Sequence, residues 1–345
     1  MNITSRDRAV GLPKRRASLL ALIALLGAVL AFFVLRAPVA TPVVMTKVTI
    51  ALPMQISSAP MIVAAANGLF QKAGVEVVFQ PFELGKDALN AVLQGKADLA
   101  VAADTPLIFA LLDGADIALL AGITQGRRSL AIVTRNDRGI REIHDLSGKS
   151  VGLTMGTNLP YFLDAMLQVN RVHADSVQLV DLRTDESTRA FKEGRLDAVV
   201  VFQPFLAQLQ AEMGDQISVF YGEDVYAFRF FLAGKTSYID RQTSEVRGVL
   251  RALVQANQMI RSNPVEARLA VGNAIKIDDA TMARLFAPED YIVSLDQAML
   301  LALDDQSRWA MKRGLAKITP MPNYLNAMKY QDLEAVLPSA VTIVR

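Results

Sequence analysis

The chain of 345 residues contains no cysteine and only two histidines. Without cysteine, a disulfide, a thiolate metal site, a cysteine nucleophile and a lipid-modified cysteine after a signal sequence are all excluded. His144 and His173 are too few for a histidine-rich metal centre and count against a histidine-dependent triad. We predict that both are solvated surface residues. The sequence therefore predicts neither a metal nor a cofactor.

A strong charge of one sign is also lacking, because the formal net charge is only +2. Residues 1–45 contribute +5 of it, so the rest of the chain carries −3. Nucleic-acid binding needs clustered Lys and Arg to neutralise phosphates. A mildly acidic body without a basic stripe therefore argues against a nucleic-acid partner.

One long hydrophobic run is present at residues 17–35, which are all uncharged. At a rise of 1.5 Å per residue the run spans roughly 28 Å, near the hydrocarbon thickness of a bilayer. The basic residues 14–16 precede it and favour an N-terminus inside and a body outside. We expect export to the periplasm or another extracytoplasmic space. A cleaved signal sequence and a retained inner-membrane anchor both stay open, because residues 37–40 (APVA) are a poor cleavage site.

Strand and helix signals alternate through the body of the chain, with helices predicted between the strands. Strands are predicted at Lys47–Leu52, Val75–Gln80, Leu99–Ala102, Ser150–Thr154, Val177–Leu182 and Tyr226–Ala233. Such alternation predicts parallel strands joined by crossover helices. Everything after Asp240 has a helical pattern. Residues 95–101 (GKADLAV) are similar to residues 194–200 (GRLDAVV), which indicates two related lobes. The alternative is that any two βαβ units share such turn residues between a helix and a strand.

The domain prediction follows from this pattern. Residues 1–45 form the signal sequence or anchor with a linker, residues 46–135 and 228–345 form lobe I, and residues 136–227 form lobe II. The chain then crosses between the lobes near residues 134–137 and 226–229, and two crossings make a hinge. The expected fold class is α/β, with a mainly parallel sheet in each lobe.

Several short motifs occur in an order that resembles one family: residues 65–70 (AANGLF), 94–98 (QGKAD), 104–110 (DTPLIFA), 145–152 (DLSGKSVG), 156–158 (GTN) and 191–198 (FKEGRLDA). Over residues 46–340 the chain resembles the substrate-binding proteins of the sulfonate, nitrate and taurine importers of the ABC type, and their relatives that bind thiamine-pyrimidine precursors. The resemblance implies a type II periplasmic binding protein fold. It also implies a monomer that closes around a small polar ligand and delivers it to permease and ATPase subunits.

Two departures from the family pattern concern the ligand. Aliphatic-sulfonate members tend to carry a histidine two residues after a Gly-Ser-Asn turn, where this chain has Pro160. They also tend to carry a tryptophan in a Trp-x-Pro motif, where this chain has Phe202-Gln203-Pro204. The resemblance thus implies a substrate-binding protein of an ABC importer, whereas the two departures weaken the assignment of a sulfonate, nitrate or taurine as its substrate.

Ligands of open parallel sheets bind beyond the carboxyl ends of the strands, where loops lead into helices. Thr157 and Asn158 begin a helix, whose unpaired backbone N–H groups favour an oxyanion. Hydroxyl groups and the charge of Arg229 would assist. The candidate ligand-binding residues are Gln55, Ser57, Ser58, Asp104, Thr105, Thr124, Gln125, Gly156, Thr157, Asn158, Asp185, Phe202, Gln203 and Arg229. Ser58, Asp104 and Asn158 can equally be ordinary helix caps.

The character of the ligand stays open at this level. Phe202 and Phe205 flank the second-lobe proline and are candidates for an apolar wall or for core packing. Asp104, Asp185 and Glu186 would repel a sulfonate and suit a cationic or hydrogen-bonding ligand.

Three functions compete on the sequence alone. The first is transport. The second is ligand sensing, which would need a separate signalling protein, because the sequence contains no kinase or cyclase. The third is an enzyme of the thiamine-pyrimidine type, which the lack of cysteine disfavours, because relatives with that activity use histidine and a cysteine-rich sequence. We therefore predict a binding protein and not an enzyme.

Overall fold

The computed structural model describes residues 45–317 and 320–344. The predicted hydrophobic segment at residues 17–35 lies outside the described residues. Within the described part, no helix has both the length and the apolar character that a membrane crossing requires.

The strands and helices of the described residues alternate through the first two thirds of the chain. The strands are β1 (Thr46–Pro53), β2 (Val75–Phe82), β3 (Leu99–Ala103), β4 (Ala118–Gly126), β5 (Leu130–Arg135), β6 (Ser150–Leu153), β7 (Gln178–Asp181), β8 (Ala198–Phe202), β9 (Ile217–Tyr221), β10 (Phe228–Gly234), β11 (Glu289–Asp290), β12 (Leu295–Asp296) and β13 (Val341–Thr342). The helices are α1 (Ala59–Ala66), α2 (Leu69–Lys72), α3 (Gly85–Leu93), α4 (Asp104–Leu112), α5 (Leu159–Val169), α6 (Thr184–Lys192), α7 (Phe205–Met213), α8 (Thr236–Arg241), α9 (Thr243–Ser262), α10 (Pro264–Ile275), α11 (Asp279–Phe286), α12 (Gln297–Lys312), α13 (Tyr324–Ala327) and α14 (Tyr330–Val336).

The predicted strands are present with bounds shifted by one or two residues. The region after Asp240 is mostly helical, but the short strands β11, β12 and β13 interrupt it, which the helical pattern did not indicate.

Two large sheets form the framework. The six-stranded sheet has the order β11-β4-β10-β3-β1-β2, and the five-stranded sheet has the order β7-β6-β8-β5-β9. We call the first sheet with its helices the first lobe and the second sheet with its helices the second lobe. Strands β12 and β13 pair separately.

Both sheets are mixed, but most strands of each run in one direction, which confirms the prediction of mainly parallel sheets: β1, β2, β3 and β4 in the first sheet, and β6, β7, β8 and β9 in the second. Strand β10 pairs antiparallel with β3 and β4, and β5 pairs antiparallel with β8 and β9. Each of these two strands is reached directly from the other sheet, without an intervening helix. A crossover helix is what returns a chain to the parallel direction.

The crossings between the sheets run through residues 127–129 and 222–227. The predicted boundary after residue 135 is therefore wrong for β5, which lies in the second sheet. The sequence hides this crossing because β4 and β5 are both apolar and only three residues separate them.

The core continues from one sheet face to the other. Every residue of β3 is buried, so both faces of the first sheet are covered there. In the second sheet, Ala131 and Val133 pack with Phe191 on one side of β5, whereas Ile132 belongs to the main cluster on the other side. The side chains thus alternate between two apolar layers, as a strand with helices on both faces requires.

We expect burial to determine the cost of truncation within a single helix. Leu303 of α12 is 1% exposed, and Leu301 of the same helix is 65% exposed. Leu303→Ala should lower the free energy of unfolding by about 2–5 kcal/mol, because it removes buried methyl groups and leaves a cavity. The matched control Leu301→Ala should change it by less than about 0.5 kcal/mol. Urea denaturation measures both, and equal losses would contradict the assigned face of the helix.

Candidate functional site

A cleft lies between the lobes at the carboxyl ends of β1, β3, β6 and β8. The cleft is narrow, and the space open to the centre of a water-sized molecule is about 40 Å³. The first lobe lines it with Gln55, Ile56, Ser57, Leu84, Gly85, Lys86, Ala103, Pro106, Phe228, Phe230 and Glu289. The second lobe, with the end of the first crossing, lines it with Ser129, Leu130, Thr157, Asn158, Phe202 and Gln203. A ligand in this cleft would touch both lobes.

Six of the residues proposed from the sequence line this cleft: Gln55, Ser57, Thr157, Asn158, Phe202 and Gln203. The first four are buried, so their polar groups would have to be satisfied by the protein or by a ligand. Phe202 and Gln203 are half-buried. The placement follows the carboxyl-end rule for loops of α/β sheets.

The hydroxyl of Thr157 serves its own loop. It donates to the carbonyl oxygen of Thr154 at 2.6 Å and accepts from the backbone N–H of Leu159 at 3.2 Å. Asn158 directly precedes α5, and no hydrogen bond from the helix reaches its side chain. The start of α5 therefore presents Asn158 and backbone groups to the cleft, while the Thr157 hydroxyl is already engaged.

Three further predicted residues lie behind the cleft and not in its lining. Ser58 donates to the carbonyl oxygen of Pro53 at 2.7 Å, and Thr124 donates to that of Ser57 at 2.7 Å. Gln125 lies in β4, paired with Arg229 and Asp290 of its neighbouring strands. Ser58 and Thr124 thus hold the turn that presents Ser57.

Asp104 belongs to a buried polar cluster. Its carboxylate accepts from the hydroxyl of Tyr226 at 2.6 Å and from Nε2 of Gln306 at 3.0 Å. Thr105 donates to Oε1 of Gln306 at 2.8 Å. Burial raises the pKa of Asp104, and the hydrogen bonds from Tyr226 and Gln306 oppose that rise. The cluster ties α4, the second crossing and α12 together, so Asp104 and Thr105 have structural partners.

The remaining predicted residues also lie outside the cleft lining. Arg229 is close enough to Asp104 for its charge to lower the pKa of that carboxyl, and its buried Nε has no hydrogen-bond partner among the described residues. Asp185 is exposed and lies 3.7 Å from Arg183 and from Arg189. Gly156 has φ 73° and forms the turn beside Lys86 that precedes Thr157.

Eleven of the seventeen lining residues were not among the candidates, and the charged, hydroxyl-bearing and aromatic ones of these are Lys86, Ser129, Phe228, Phe230 and Glu289. The two phenylalanines alternate on β10, with perpendicular rings and centroids 5.5 Å apart, and the alternation within YAFRFFLA was the signal available for them. No pattern in the sequence indicated that Lys86 or Glu289 would line the cleft. Glu289 lies on a two-residue strand inside a segment with a helical pattern.

Polar contacts join the lobes on both sides of the cleft lining. Nζ of Lys86 donates to the carbonyl oxygen of Met155 at 3.0 Å. On α12, Nε1 of Trp309 donates to Asp164 at 2.8 Å, and Nε of Arg313 lies 2.9 Å from the same carboxylate. Burial raises the pKa of Asp164, against the effect of both partners.

A possible metal-binding group among the described residues lies elsewhere. Glu142, His144 and Asp145 lie together on the second lobe, but Asp145 already accepts from the backbone N–H groups of Arg141 and Glu142. Glu142 and His144 are exposed. None of the three lines the cleft.

Two mixed α/β lobes, two chain crossings and a cleft between them define the architecture of periplasmic binding proteins. The chain belongs to the NMT1/THI5-like family, whose sequence model matches residues 55–267.

Relatives and a solved structure agree with this family. The chain is 26% identical over 209 residues to a putative aliphatic sulfonates-binding protein of Bacillus subtilis, covering 59% of this chain and 62% of that protein. It is 28% identical over 297 residues to a putative thiamine biosynthesis protein of Haemophilus influenzae, covering 83% and 85%. The periplasmic aliphatic sulphonate binding protein SsuA of Escherichia coli superimposes with a TM-score of 0.72 at 19% identity, over 84% of this chain and 98% of that one. That likeness shows the fold.

The Asp104 cluster yields a prediction about stability. Tyr226→Phe removes the donor that lies 2.6 Å from a buried carboxylate and should lower the free energy of unfolding by about 1–3 kcal/mol. The control is Tyr221→Phe, whose hydroxyl makes only an exposed contact of 3.5 Å with Gln210 and should cost less than about 0.5 kcal/mol. Chemical denaturation measures the free energy of unfolding of both variants. A Tyr226→Phe variant as stable as the wild type would show that the cluster does not stabilise the fold.

Proposed function

We propose that this chain is the extracytoplasmic substrate-binding component of an ABC importer. It captures a small polar molecule in the cleft between its lobes and presents the closed form to a membrane permease. The observation that carries the proposal is a cleft lined by both lobes in a member of the NMT1/THI5-like family. The names of the Bacillus and Escherichia relatives, which refer to sulfonate binding, support the transport reading.

Closure is the mechanism that the contacts support. Lys86 with Met155, and Glu83 with Arg183, join groups from opposite lobes. Glu83 and Arg183 are 45% and 52% exposed, and exposed ion pairs contribute only about 0–1 kcal/mol. The hydrogen bond of Lys86 adds about 0.5–3 kcal/mol. Such weak contacts let a ligand that touches both lobes shift the balance towards the closed form.

Binding without catalysis is the reading that the cleft chemistry favours. Its ionisable lining residues are Lys86 and Glu289, and its hydroxyl groups come from Ser57, Ser129 and Thr157. A nucleophilic hydroxyl needs a base within hydrogen-bond reach, but both histidines lie outside the lining. Lys86 donates to Met155, and Oε2 of Glu289 has no hydrogen-bond partner among the described residues. The proposed protein therefore makes and breaks no bond.

The proposed location and organisation follow from the function. Residues 17–35 direct export and are either cleaved or kept as an anchor in the inner membrane. The lobes then work outside the cytoplasm as a monomer, with 46–126 and 228–345 closing against 130–221. The permease and the ATPase subunits are the proposed partners.

The test compares two neighbouring phenylalanines. Phe202 lines the cleft, and Phe205 packs edge-on against it at 5.6 Å without lining the cleft. Residues 45–345 are screened by thermal shift against sulfonates, taurine, nitrate, bicarbonate, pyrimidines and small amines. At least one compound should raise the midpoint, because a ligand of the folded state stabilises it.

For that compound, Phe202→Ala should weaken binding by about tenfold or more, the loss expected for one buried aromatic contact.

Calorimetry on the same compound gives the control. Phe205→Ala should weaken binding several times less than Phe202→Ala. A screen in which no small molecule stabilises the protein, or a ligand whose affinity neither variant changes, would refute the proposed function.

A further inference from the structure

Glu289 is a buried acid that faces the cleft. It is 9% exposed, and with Lys86 it makes up the ionisable part of the cleft lining. Its Oε2 atom is buried and has no hydrogen-bond partner in the described chain. None of the ion pairs found among the described residues includes it.

The fold holds this carboxyl group in place. Strand β11 pairs antiparallel with β4, which sets Glu289 opposite Gly126. A Cβ atom at Gly126 would lie 2.5 Å from Oε2 of Glu289 and would also collide with the ring of Phe228. A glycine in β4 therefore leaves the recess that the carboxyl group occupies.

An acid in this position is costly unless something pairs with it. A buried carboxylate without a partner loses hydration and gains nothing in return. Burial, assisted by the charge of Asp290, raises the pKa of Glu289 to about 8.

The other titratable and charged groups around it do not relieve that cost. Tyr291 follows on the same segment, and burial, together with the charge of Glu289, raises the pKa of its hydroxyl. Glu289 also lines an adjoining surface pocket with Arg128 and Arg284, and a groove on the other side with Arg261. Among the described residues, Arg128 pairs with Glu223, and none of the three arginines forms an ion pair with Glu289. Lys86 of the cleft is engaged with Met155.

Three aromatic side chains contribute to the cleft lining. Phe228 and Phe230 come from the first lobe and Phe202 from the second. Aromatic faces attract cations and flat apolar groups. The cleft therefore combines an unpaired acid with aromatic walls.

We propose that Glu289 sets the specificity of the cleft by pairing with a protonated amine or amidinium group of a small organic cation, whose apolar body lies against Phe202, Phe228 and Phe230. This inference rests on the proposed function and narrows its ligand. A simple sulfonate would be repelled by Glu289 once that carboxyl is ionised.

The pH dependence of binding separates the two ligand types by sign. A cation binds the ionised form of Glu289, so its affinity rises by up to about tenfold per pH unit as the pH approaches the pKa, and levels off above it. An anion is favoured by the protonated form and loses affinity over the same range. The probes are benzamidinium and benzylammonium as cations, with benzenesulfonate as the anion for comparison.

Calorimetry at pH 6, 7 and 8 on residues 45–345 tests the proposal. We expect a cationic probe to bind more tightly at pH 8 than at pH 6. Glu289→Gln, which keeps the shape and removes the charge, should weaken that binding by at least about tenfold and abolish the pH dependence. Glu266→Gln is the matched control, because it makes the same substitution at an exposed acid on α10 outside the cleft lining and should leave both the affinity and its pH dependence unchanged.

A second measurement needs no ligand. An acid whose folded pKa is raised destabilises the protein as the pH rises from its unfolded pKa to its folded pKa. Glu289→Gln should therefore raise the thermal midpoint relative to the wild type, with a difference that grows from pH 5 to pH 8. The control Glu266→Gln should show no such growth.

The outcomes are distinct from those for the proposed function. If benzenesulfonate binds in a manner that Glu289→Gln leaves unchanged, or if sulfonates bind and no cation does, the protein remains a binding protein and this inference is wrong. If no compound binds at all, both fail. A midpoint difference that stays constant with pH would also overturn the role assigned to Glu289.

Discussion

The insertion of β10 into the first sheet is the constraint on which the site depends. The chain returns from the second sheet through residues 222–227 and at once pairs antiparallel with β3 and β4, in the middle of the sheet. These backbone pairings place Phe228 and Phe230 at the cleft. They also place Tyr226 against Asp104, and through Asp104 against Gln306 of α12. One strand thus connects the crossing between the lobes, the cleft lining and the C-terminal helices.

The contacts between the lobes suggest a molecule balanced between open and closed forms. Most of them are single hydrogen bonds or partly exposed ion pairs, which contribute little each. The contact of Trp309 with Asp164 is more buried, but burial also raises the pKa of that carboxyl and so offsets part of the gain. A ligand with contacts to both lobes can therefore decide the equilibrium, as binding by closure requires.

Local signals in the sequence predicted the local structure well. Strands such as Ser150–Leu153 and helix starts such as that before Leu159 depend on nearby residues. Turn residues and the spacing of apolar residues therefore revealed them. The antiparallel insertions of β5 and β10 depend on pairing between distant segments, which no local pattern encodes. The boundary between the lobes was misplaced for the same reason.

The residues of the candidate site likewise divide into those that local patterns predicted and those that depend on contacts between distant segments. Residues on loops after the strands, such as Gln55, Asn158 and Phe202, were found because the carboxyl-end rule applies to each βα unit separately. Asp104 satisfied that rule too, yet its side chain turns to partners far away in sequence, which the local motif could not reveal. Glu289 was missed because its position is defined by pairing with β4, more than 160 residues earlier.

Distance measurement between the lobes tests the central claim of closure around a ligand most directly. The chain has no cysteine, so cysteines introduced at the exposed positions Asn90 on α3 and Arg189 on α6 take spin labels without further changes. Pulsed dipolar spectroscopy with and without the compound found by thermal shift should show a shorter and narrower distance distribution when the compound is bound. A distribution that does not change at saturating ligand would contradict closure and the cleft as the binding site.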